Sequence, residues 1–344
     1  MALIDLYSDT ATRPTPAMRR AIAEAEVGDE QKGEDPTVNR LQELVAGLLG
    51  KEAALFLPSG TMCNEIAVKV HTRPGDAILL DRQAHIFSSE AGGPAFLSGA
   101  LVKTLDGDRG RITPEQVAAA VTPGSWHVAP TRLLCVEQTH NFGGGTIWPL
   151  AQLRAVCDVA RAHGLATHLD GARLLNAVVA TGVPARDYAA ACDSAWLDLS
   201  KGLGAPVGGV LAGSAAFIQE ARRYKHLFGG AMRQAGIIAA AGVYALEHHV
   251  ERLAEDHEHA QLLADGLDAI PGVWVERPVE TNMVFFRIEG AGMTPRDFLA
   301  AIEARGVRMG GGARIRAVTH LDISRGDVAR AVDVARAVLT GRDG

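Results

Sequence analysis

The chain has few of the features that mark secreted, membrane-spanning or polyanion-binding proteins. Its 344 residues include four widely spaced cysteines with no CxxC or His/Cys cluster, so neither a disulfide framework nor a zinc site is expected. No apolar run approaches the roughly 20 residues of a membrane span. The N-terminal stretch carries acids where a signal peptide has basic residues. The 34 basic and 40 acidic residues form no basic block. We therefore expect a folded, cytoplasmic protein with no nucleic-acid, membrane or metal partner.

What the sequence does contain is a series of short apolar runs that alternate with helical patterns. Continuous apolar runs suit strands that are covered on both faces, as in a mainly parallel sheet. The seven runs lie at residues 53–57, 77–80, 101–105, 133–137, 165–170, 194–199 and 208–213. Helices are predicted after Thr15-Pro16 and Asp35-Pro36, where a polar cap precedes proline. Further helices are predicted at 149–164, at 214–226, and from Arg233 to about residue 270 with a break. The pattern predicts an α/β fold with a mainly parallel seven-stranded sheet.

The pattern changes near residue 273 to short strands with two helices, which is typical of a small α+β domain. We therefore divide the chain into an N-terminal segment (1–30) that packs on a subunit interface, a large α/β domain (31–250) and a small C-terminal α+β domain (251–344). We expect a cleft between the two domains.

Three motifs are placed where an α/β domain binds ligands. Ser59, Gly60 and Thr61 lie between a strand and a helix, where free backbone N–H groups favour phosphate. Asp170 ends a strand, and Lys201 sits in a glycine-rich turn. Taken singly, these are a plain turn, a helix N-cap and an exposed loop lysine. Together they match the needs of pyridoxal phosphate, which requires a phosphate cradle, an acid beside its pyridine nitrogen and an amine.

Longer motifs carry a family resemblance that runs almost from end to end. They are DLYSDTATRPT, GEDPTVNRLQE, GKEAALFLPSGTMCN, HIFSSEAGG, EQTHN, HLDGARLLNA, LSKGLGAPVGG, GGAMRQAG and RAVTHLD. The chain resembles the low-specificity L-threonine aldolases of the beta-eliminating lyase/threonine aldolase family. Those enzymes belong to the aspartate-aminotransferase-like (fold type I) group that uses pyridoxal phosphate. The segments SDT, THN, DGARL and MRQ are typical of the aldolases rather than of the whole group.

The resemblance implies a cofactor site. Lys201 would hold the cofactor as a Schiff base, Asp170 would meet the pyridine nitrogen, and His85 would stack on the ring. The implied cofactor-binding residues are Ser59, Gly60, Thr61, His85, Asp170, Arg173, Lys201 and, from a neighbouring subunit, Arg233. Arg233 could instead be a capping or interface residue.

The resemblance also implies a substrate site and a reaction. Ser8, Arg173 and Arg316 would bind the substrate carboxylate, and His140 would lie near the β-hydroxyl. The expected reaction is reversible aldol cleavage of L-threonine, L-allo-threonine and related β-hydroxy-α-amino acids to glycine and an aldehyde. The first candidate base is His140 and the second is His85, although either could be an ordinary core or rim histidine. A homodimer or homotetramer with shared active sites is expected.

Other functions remain open at this stage. A β-eliminating lyase or a transaminase of the same fold group would use the same lysine and aspartate. A nucleotide-binding enzyme is disfavoured by the absence of G-x-G-x-x-G after the first strand and of GxxxxGK[ST]. A catalytically silent homologue is disfavoured because each predicted catalytic position holds a competent residue. Four departures from the family pattern, expected to border the aldehyde side and to affect β-carbon selectivity, are Lys32, Ile86-Phe87, His226 and the Gly143–Gly145 loop.

Overall fold

A seven-stranded sheet organises the larger part of the protein, for which a computed structural model describes residues 3–289 and 292–341. The strands are β1 Ile4–Asp5, β2 Ala53–Leu57, β3 Ala77–Asp81, β4 Leu101–Leu105, β5 Thr131–Glu137, β6 Ala166–Asp170, β7 Ser194–Asp198, β8 Gly209–Gly213, β9 Val273–Val275, β10 Met283–Ile288, β11 Val307–Arg308, β12 Gly310–Gly311 and β13 Ile315–Val318. The seven apolar runs predicted as strands correspond to β2 through β8, which confirms that part of the prediction.

The helices include those that the sequence predicts and several shorter ones that it does not. They are α1 Pro16–Ala23, α2 Pro36–Leu49, α3 Gly60–His71, α4 His85–Ser88, α5 Gly93–Ser98, α6 Pro114–Ala120, α7 Leu150–Ala162, α8 Leu174–Thr181, α9 Ala185–Ala189, α10 Ala215–Leu227, α11 Gly236–His248, α12 Leu253–Asp268, α13 Pro295–Glu303 and α14 Arg325–Thr340. Short 3₁₀ helices occupy Asp9–Ala11 and Glu30–Lys32. The predicted break after Arg233 is the gap between α11 and α12.

Local capping explains where the first two helices begin. Thr15 accepts a hydrogen bond from the backbone N–H of Met18, and Asp35 accepts hydrogen bonds from those of Thr37 and Val38. Proline follows each cap, at a position where its missing N–H costs nothing. Both helices therefore start where the sequence predicts.

The large sheet has the strand order β2-β8-β7-β6-β5-β3-β4, and β8 runs antiparallel to both of its neighbours. The other pairs are parallel. Alternate residues of β2 enter different cores. Ala54 and Phe56 pack in the cluster that contains residues of α2, α7 and α11, whereas Leu55 and Leu57 pack with residues of α3 and α10. The sheet is thus covered on both faces, which is why its strands are continuously apolar.

Four neighbouring strands of this sheet end on an acidic residue. Asp81 ends β3, Glu137 ends β5, Asp170 ends β6 and Asp198 ends β7. Glu137 and Asp170 are direct register partners across β5 and β6. Because the strands are parallel, these carboxylates lie along one edge of the sheet, where open α/β sheets bind ligands.

The C-terminal part has its own sheet, in the order β12-β13-β10-β9 with antiparallel pairs, and its own core with α12, α13 and α14. The N-terminal strand β1 pairs in parallel with β11, and Ile4 and Leu6 enter that second core. Helix α1 packs on α11 instead. The domain boundaries and the placement of residues 1–30 at a subunit interface stay predictions.

Two further findings concern the described ranges 3–289 and 292–341. No helix in them is long and apolar enough to cross a lipid bilayer. The same residues contain no group of three or more His, Cys, Asp or Glu side chains arranged to hold a metal ion. The four cysteines are buried and unbridged, as the sequence predicts.

Candidate active site

A cavity of about 220 Å³ opens at the edge of the sheet where the acidic strand ends lie. Most residues predicted for the site line it, namely Ser8, Ser59, Gly60, Thr61, His85, Asp170, Arg173, Lys201 and Arg316. His140 and Arg233 do not. The cavity is also lined by residues that the sequence did not single out, which are Thr10, Glu90, Glu137, Asn141, Ala172, Trp196 and Asp198.

The turn at Ser59–Thr61 forms the start of α3. Ser59 has extended backbone and its Oγ accepts a hydrogen bond from the N–H of Met62, so it caps the helix. A Cβ on Gly60 would lie 2.2 Å from the Trp196 ring, so only glycine allows the turn to approach the indole this closely. The turn therefore presents backbone N–H groups and the Thr61 hydroxyl at a helix N-terminus, which suits a phosphate group.

Asp170 is a buried acid with an excess of negative charge around it. Its Oδ2 accepts a hydrogen bond from Asn64 at 2.9 Å, and its Oδ1 accepts one from the backbone N–H of Ala172 at 3.0 Å. Burial, together with the charges of Glu137 and Glu90, raises the pKa of Asp170 to about 7. Asp170 is not the N-cap of α8, because that position is held by Arg173 and the N–H that Asp170 bonds belongs to Ala172, before the helix begins. The surplus of carboxylates still favours a cationic N–H as an added partner.

Lys201 is only partly exposed, and its Nζ contacts the carboxylate of Asp198, three residues earlier. The other oxygen of Asp198 accepts hydrogen bonds from the backbone N–H and the Oγ of Ser200. The Nζ also lies 5.6 Å from the centre of the Trp196 ring. The lysine is therefore a cavity residue rather than a solvated loop side chain, and a fixed carboxylate orients it.

His85 begins α4 and reaches the cavity from the β3 side. Its backbone N–H donates to Glu137 Oε2 at 2.8 Å, and its Nδ1 lies 2.8 Å from Glu90 Oε1. This hydrogen bond raises the pKa of His85 although burial opposes it. With Nδ1 engaged by Glu90, Nε2 is the ring nitrogen left to face a ligand.

Arg173 is already paired on the other side of the cavity. Its Nε donates to Asp9 Oδ2 at 2.7 Å and its Nη2 donates to Asp9 Oδ1 at 2.6 Å, with both side chains buried. Burial alone would raise the pKa of Asp9, but the guanidinium of Arg173 holds it well below its usual range. Asp9 thus bonds the Nε and Nη2 edge of the guanidinium, and Nη1 stays outside this pair. The carboxylate-binding role expected for Arg173 remains a prediction.

Arg316 has no carboxylate partner among the hydrogen bonds and ion pairs of the described residues. Its Nη1 donates to Asn141 Oδ1 at 3.0 Å, and its Nη2 donates to the carbonyl of Tyr7 at 3.2 Å. Burial and the neighbouring cation Arg173 lower the pKa of Arg316. A guanidinium held by neutral oxygens beside another cation is suited to bind an incoming anion.

His140 does not reach the cavity, contrary to the first choice of base from the sequence. It is 1% exposed, its Nδ1 accepts a hydrogen bond from the backbone N–H of Gly143 at 3.0 Å, and its Nε2 lies 3.3 Å from Asp81 Oδ1. Nδ1 is the ring nitrogen with a hydrogen bond, Nε2 has none among the described residues, and the side chain does not line the cavity. The core-histidine alternative describes its position.

Arg233 lies outside the cavity of its own chain. It precedes α11 and pairs with Asp29, with Nη1 3.0 Å from Oδ2, and its side chain is 60% exposed. This position is compatible with a role toward a neighbouring subunit and equally with a simple surface ion pair. That role remains a prediction.

The departures from the family pattern also lie outside this cavity. Ile86 is buried in a separate core cluster, and Phe87 and His226 are exposed. The Gly143–Gly145 loop is held by Arg109, which donates to the carbonyl of Gly143. Within one chain these residues do not border the ligand space, because tertiary contacts turn them toward other surfaces.

Together, the mainly parallel sheet with one antiparallel strand, the small antiparallel domain and the cavity at the strand ends define an aspartate-aminotransferase-like α/β enzyme of fold type I. The family model described as beta-eliminating lyase matches residues 5–291, and the chain belongs to this family. The class and the family both agree with the expectation from the motifs.

Relatives within the family are closely similar over almost their whole length. The chain is 43% identical to low-specificity L-threonine aldolase 1 of Arabidopsis thaliana, covering 95% of this chain and 94% of that protein. It is 42% identical to the low specificity L-threonine aldolase of Escherichia coli K12, covering 98% and 99%. The solved structure of Leishmania major threonine aldolase superposes with a TM-score of 0.84 at 22% identity, covering 98% and 99%, and supports the fold alone.

Proposed function

We propose that the protein cleaves L-threonine, L-allo-threonine and related β-hydroxy-α-amino acids to glycine and an aldehyde, using pyridoxal phosphate held covalently by Lys201. The observation that carries this proposal is the meeting of Lys201, Asp170 and the Ser59–Thr61 turn in one cavity. The curated relatives named low-specificity L-threonine aldolases support the choice of reaction.

The residues present fit this cofactor. The start of α3 suits its phosphate, and the pKa of Asp170, raised by burial and by neighbouring acids, identifies a carboxyl group that lacks a cationic partner. A protonated pyridine nitrogen would supply that partner. Lys201 has the amine needed for covalent attachment and already points into the cavity.

When bound, pyridoxal phosphate supplies an electron sink for the bond that breaks at the substrate's Cα. The protein's own part is to orient and to move protons. Arg316 binds the substrate carboxylate, aided by Ser8, while the Arg173–Asp9 pair holds the wall behind them. A fixed carboxylate would set which of the bonds at Cα stands perpendicular to the cofactor ring, and this orientation would select the bond that breaks.

His85 is the base that we assign to the β-hydroxyl. Its Nε2 takes the hydroxyl proton as the Cα–Cβ bond breaks and the aldehyde forms, and Glu90 stabilises the resulting imidazolium through Nδ1. We prefer His85 to His140 because the buried side chain of His140 does not line the cavity.

The base assignment is tested by comparing His85→Asn with His140→Asn. We expect His85→Asn to lower kcat for threonine cleavage by about 10²-fold, with the cofactor still bound. His140→Asn should mainly lower the melting temperature and leave kcat within a few-fold of the parent. Equal losses of kcat in the two folded variants would contradict the assignment.

The reaction itself is tested by measuring glycine and aldehyde from threonine, allo-threonine and phenylserine. We expect glycine formation from each and at least about a 10³-fold loss in Lys201→Ala. A β-eliminating lyase, which the family model's description keeps as the second candidate, would release ammonia and a keto acid instead. Those products in place of glycine would overturn the proposal.

We also propose a homodimer or homotetramer in which Arg233 reaches the phosphate site of a neighbouring subunit. It is supported by the exposed position of Arg233 and by the need for a cation beside Ser59–Thr61, since no Lys or Arg hydrogen-bonds that turn in the described residues. The cytoplasmic location expected from the sequence remains a prediction.

A further inference from the structure

Beside Glu90, whose side chain contacts His85 Nδ1, lies a second glutamate that the mechanism does not use. Glu65 sits on the inward face of α3, 2% exposed, and neither of its carboxyl oxygens has a hydrogen-bond partner among the described residues. A lone carboxylate in such a place is strongly disfavoured, because burial removes water without supplying donors. Glu65 is therefore expected to carry a proton.

Glu90 is equally buried but has donors on one side only. Its Oε1 accepts a hydrogen bond from Asn64 Nδ2 at 2.7 Å and lies 2.8 Å from His85 Nδ1, whereas its Oε2 has no described partner. Both of these contacts are made by Oε1 alone. The bare Oε2 is an acceptor that lacks a donor.

Both glutamates contact the start of α5, and their side chains are neighbours. Glu65 Oε1 lies so close to Gly93 that a Cβ there would be 2.1 Å away, and the N–H of Gly93 donates to the carbonyl of Glu90 at 2.9 Å. Burial and the charge of Glu90 raise the pKa of Glu65 to about 8. A proton on Glu65 gives it an O–H that can donate to Glu90.

We propose that Glu65 and Glu90 share a single proton, which rests on Glu65, and that this keeps Glu90 ionised and sets the tautomer and charge of His85. The proposal extends the proposed function by adding Glu65 as a positioning residue that acts on the base through Glu90. Other titratable groups that face this cluster include Asp170 and Glu137 on the cavity side, the thiol of Cys135 on β5 and the thiol of Cys63 on α3.

The arrangement makes the base sensitive to alkaline pH. While Glu65 is protonated, one negative charge faces His85 Nδ1 and leaves Nε2 free to accept a proton. Once Glu65 ionises, two adjacent buried carboxylates raise the proton affinity of His85 and strain the cluster. Cleavage should therefore decline above about pH 8 for a reason that lies outside the cavity.

The first test measures the melting temperature of the holoenzyme against that of Glu65→Gln from about pH 5 to pH 9. In the unfolded chain Glu65 ionises near its ordinary pKa of 4.5, but in the folded chain only near pH 8. The parent therefore loses stability as pH rises between these values, and the neutral glutamine does not. The advantage of Glu65→Gln should grow across this range and then level off. A constant difference would overturn the proposal.

The second test measures the pH profile of kcat. The alkaline decline should be absent in Glu65→Gln, which is neutral at every pH and keeps an N–H donor for Glu90. Glu65→Leu, which has no donor, should lower kcat about tenfold at neutral pH. Glu115→Gln, on the exposed face of α6, is the matched control and should change neither measurement. Superimposable profiles for the parent and Glu65→Gln would refute the role.

The two tests separate this inference from the proposed function. If the chain released no glycine, the cleavage reaction would fail while the pH dependence of the melting temperature still reported the proton on Glu65. If glycine is released but the stability difference does not vary with pH, the shared proton alone is wrong.

Discussion

The two walls of the cavity hold their buried charges in opposite ways. On the substrate side, Arg173 and Asp9 form a closed ion pair in which each charge has its partner. On the side proposed to hold the cofactor, Asp170, Glu137 and Glu90 face one another beside the half-exposed His85. The Arg173–Asp9 pair is electrostatically complete before any ligand arrives, whereas the group of carboxylates is not. A buried charge that is already paired supports structure, and one that lacks a partner attracts a ligand.

The largest expected effect comes from removing the negative charge of Asp170. Asp170→Asn keeps the size of the side chain and an oxygen that can accept the hydrogen bond from Asn64. It removes the negative charge that would keep the pyridine nitrogen of the cofactor protonated. We expect kcat for glycine formation to fall by about 10²–10³-fold, with a changed absorption band of the bound cofactor. A variant with full activity would show that the carboxylate of Asp170 is not needed as the partner of a cationic ring nitrogen.

Disrupting the Arg173–Asp9 ion pair should lower the stability of the protein rather than its affinity for the cofactor. Asp9→Asn leaves Arg173 buried without its carboxylate, and we expect a loss of about 3–5 kcal/mol in the free energy of unfolding. Denaturant titration measures it. Asp106→Asn, which breaks an exposed pair with Arg82, is the control and should have a much smaller effect.

The same pair predicts a pH dependence with a definite sign. Because Arg173 depresses the pKa of Asp9 in the folded chain, the pair stabilises the protein above the ordinary aspartate range near pH 4. The contribution is lost as pH falls through the folded value. Asp9→Asn should therefore lack this acid-side loss, and a parent and variant that lose stability in parallel below about pH 4 would argue against the pair.

Arg316 tests whether the substrate side has one unpaired cation left for a ligand. Arg316→Lys keeps the charge but loses the planar fork, and we expect about a tenfold rise in KM for threonine with a smaller change in kcat. Arg314→Lys is the matched control, since Arg314 lies two residues earlier and is already bonded to Glu276. Similar rises in KM for both variants would contradict the proposal that Arg316 binds the substrate carboxylate.

The smallest effect is expected at the surface. Arg233→Ala and Asp29→Asn break the same exposed ion pair, and each should lower stability by less than about 1 kcal/mol. If Arg233 also serves the phosphate site of a neighbour, only Arg233→Ala should weaken cofactor binding, as measured by titration of the apoenzyme. Equal cofactor affinity in both variants would leave Arg233 as a surface residue.

Sequence reasoning was most successful where the signal is local. Proline after a polar cap marked α1 and α2, and continuous apolar runs marked β2 through β8. Short helices such as α4 and α5 were missed because four to six residues give no periodic pattern. The break between α11 and α12 was expected.

The site was found only in part, for a related reason. Motifs identified residues such as Lys201 and Asp170, but they did not identify Glu137, although it ends a strand in the same way as Asp170. Four acids that end apolar runs are a visible signal, and it could have been read. The partners of Arg173 and His140 could not, because Asp9 and Asp81 are distant along the chain.

The amino-acid sequence by itself determined the α/β class, the strand and helix order, and most of the residues that line the cavity, because these depend on periodicity and on chemical type. Only the tertiary structure decided which of these residues are free to act. It paired Asp9 with Arg173, buried His140 away from the cavity and placed Glu90 against His85, with Glu65 beside Glu90. The availability of a charged or basic group depends on what lies beside it in space, and burial makes that neighbour decisive.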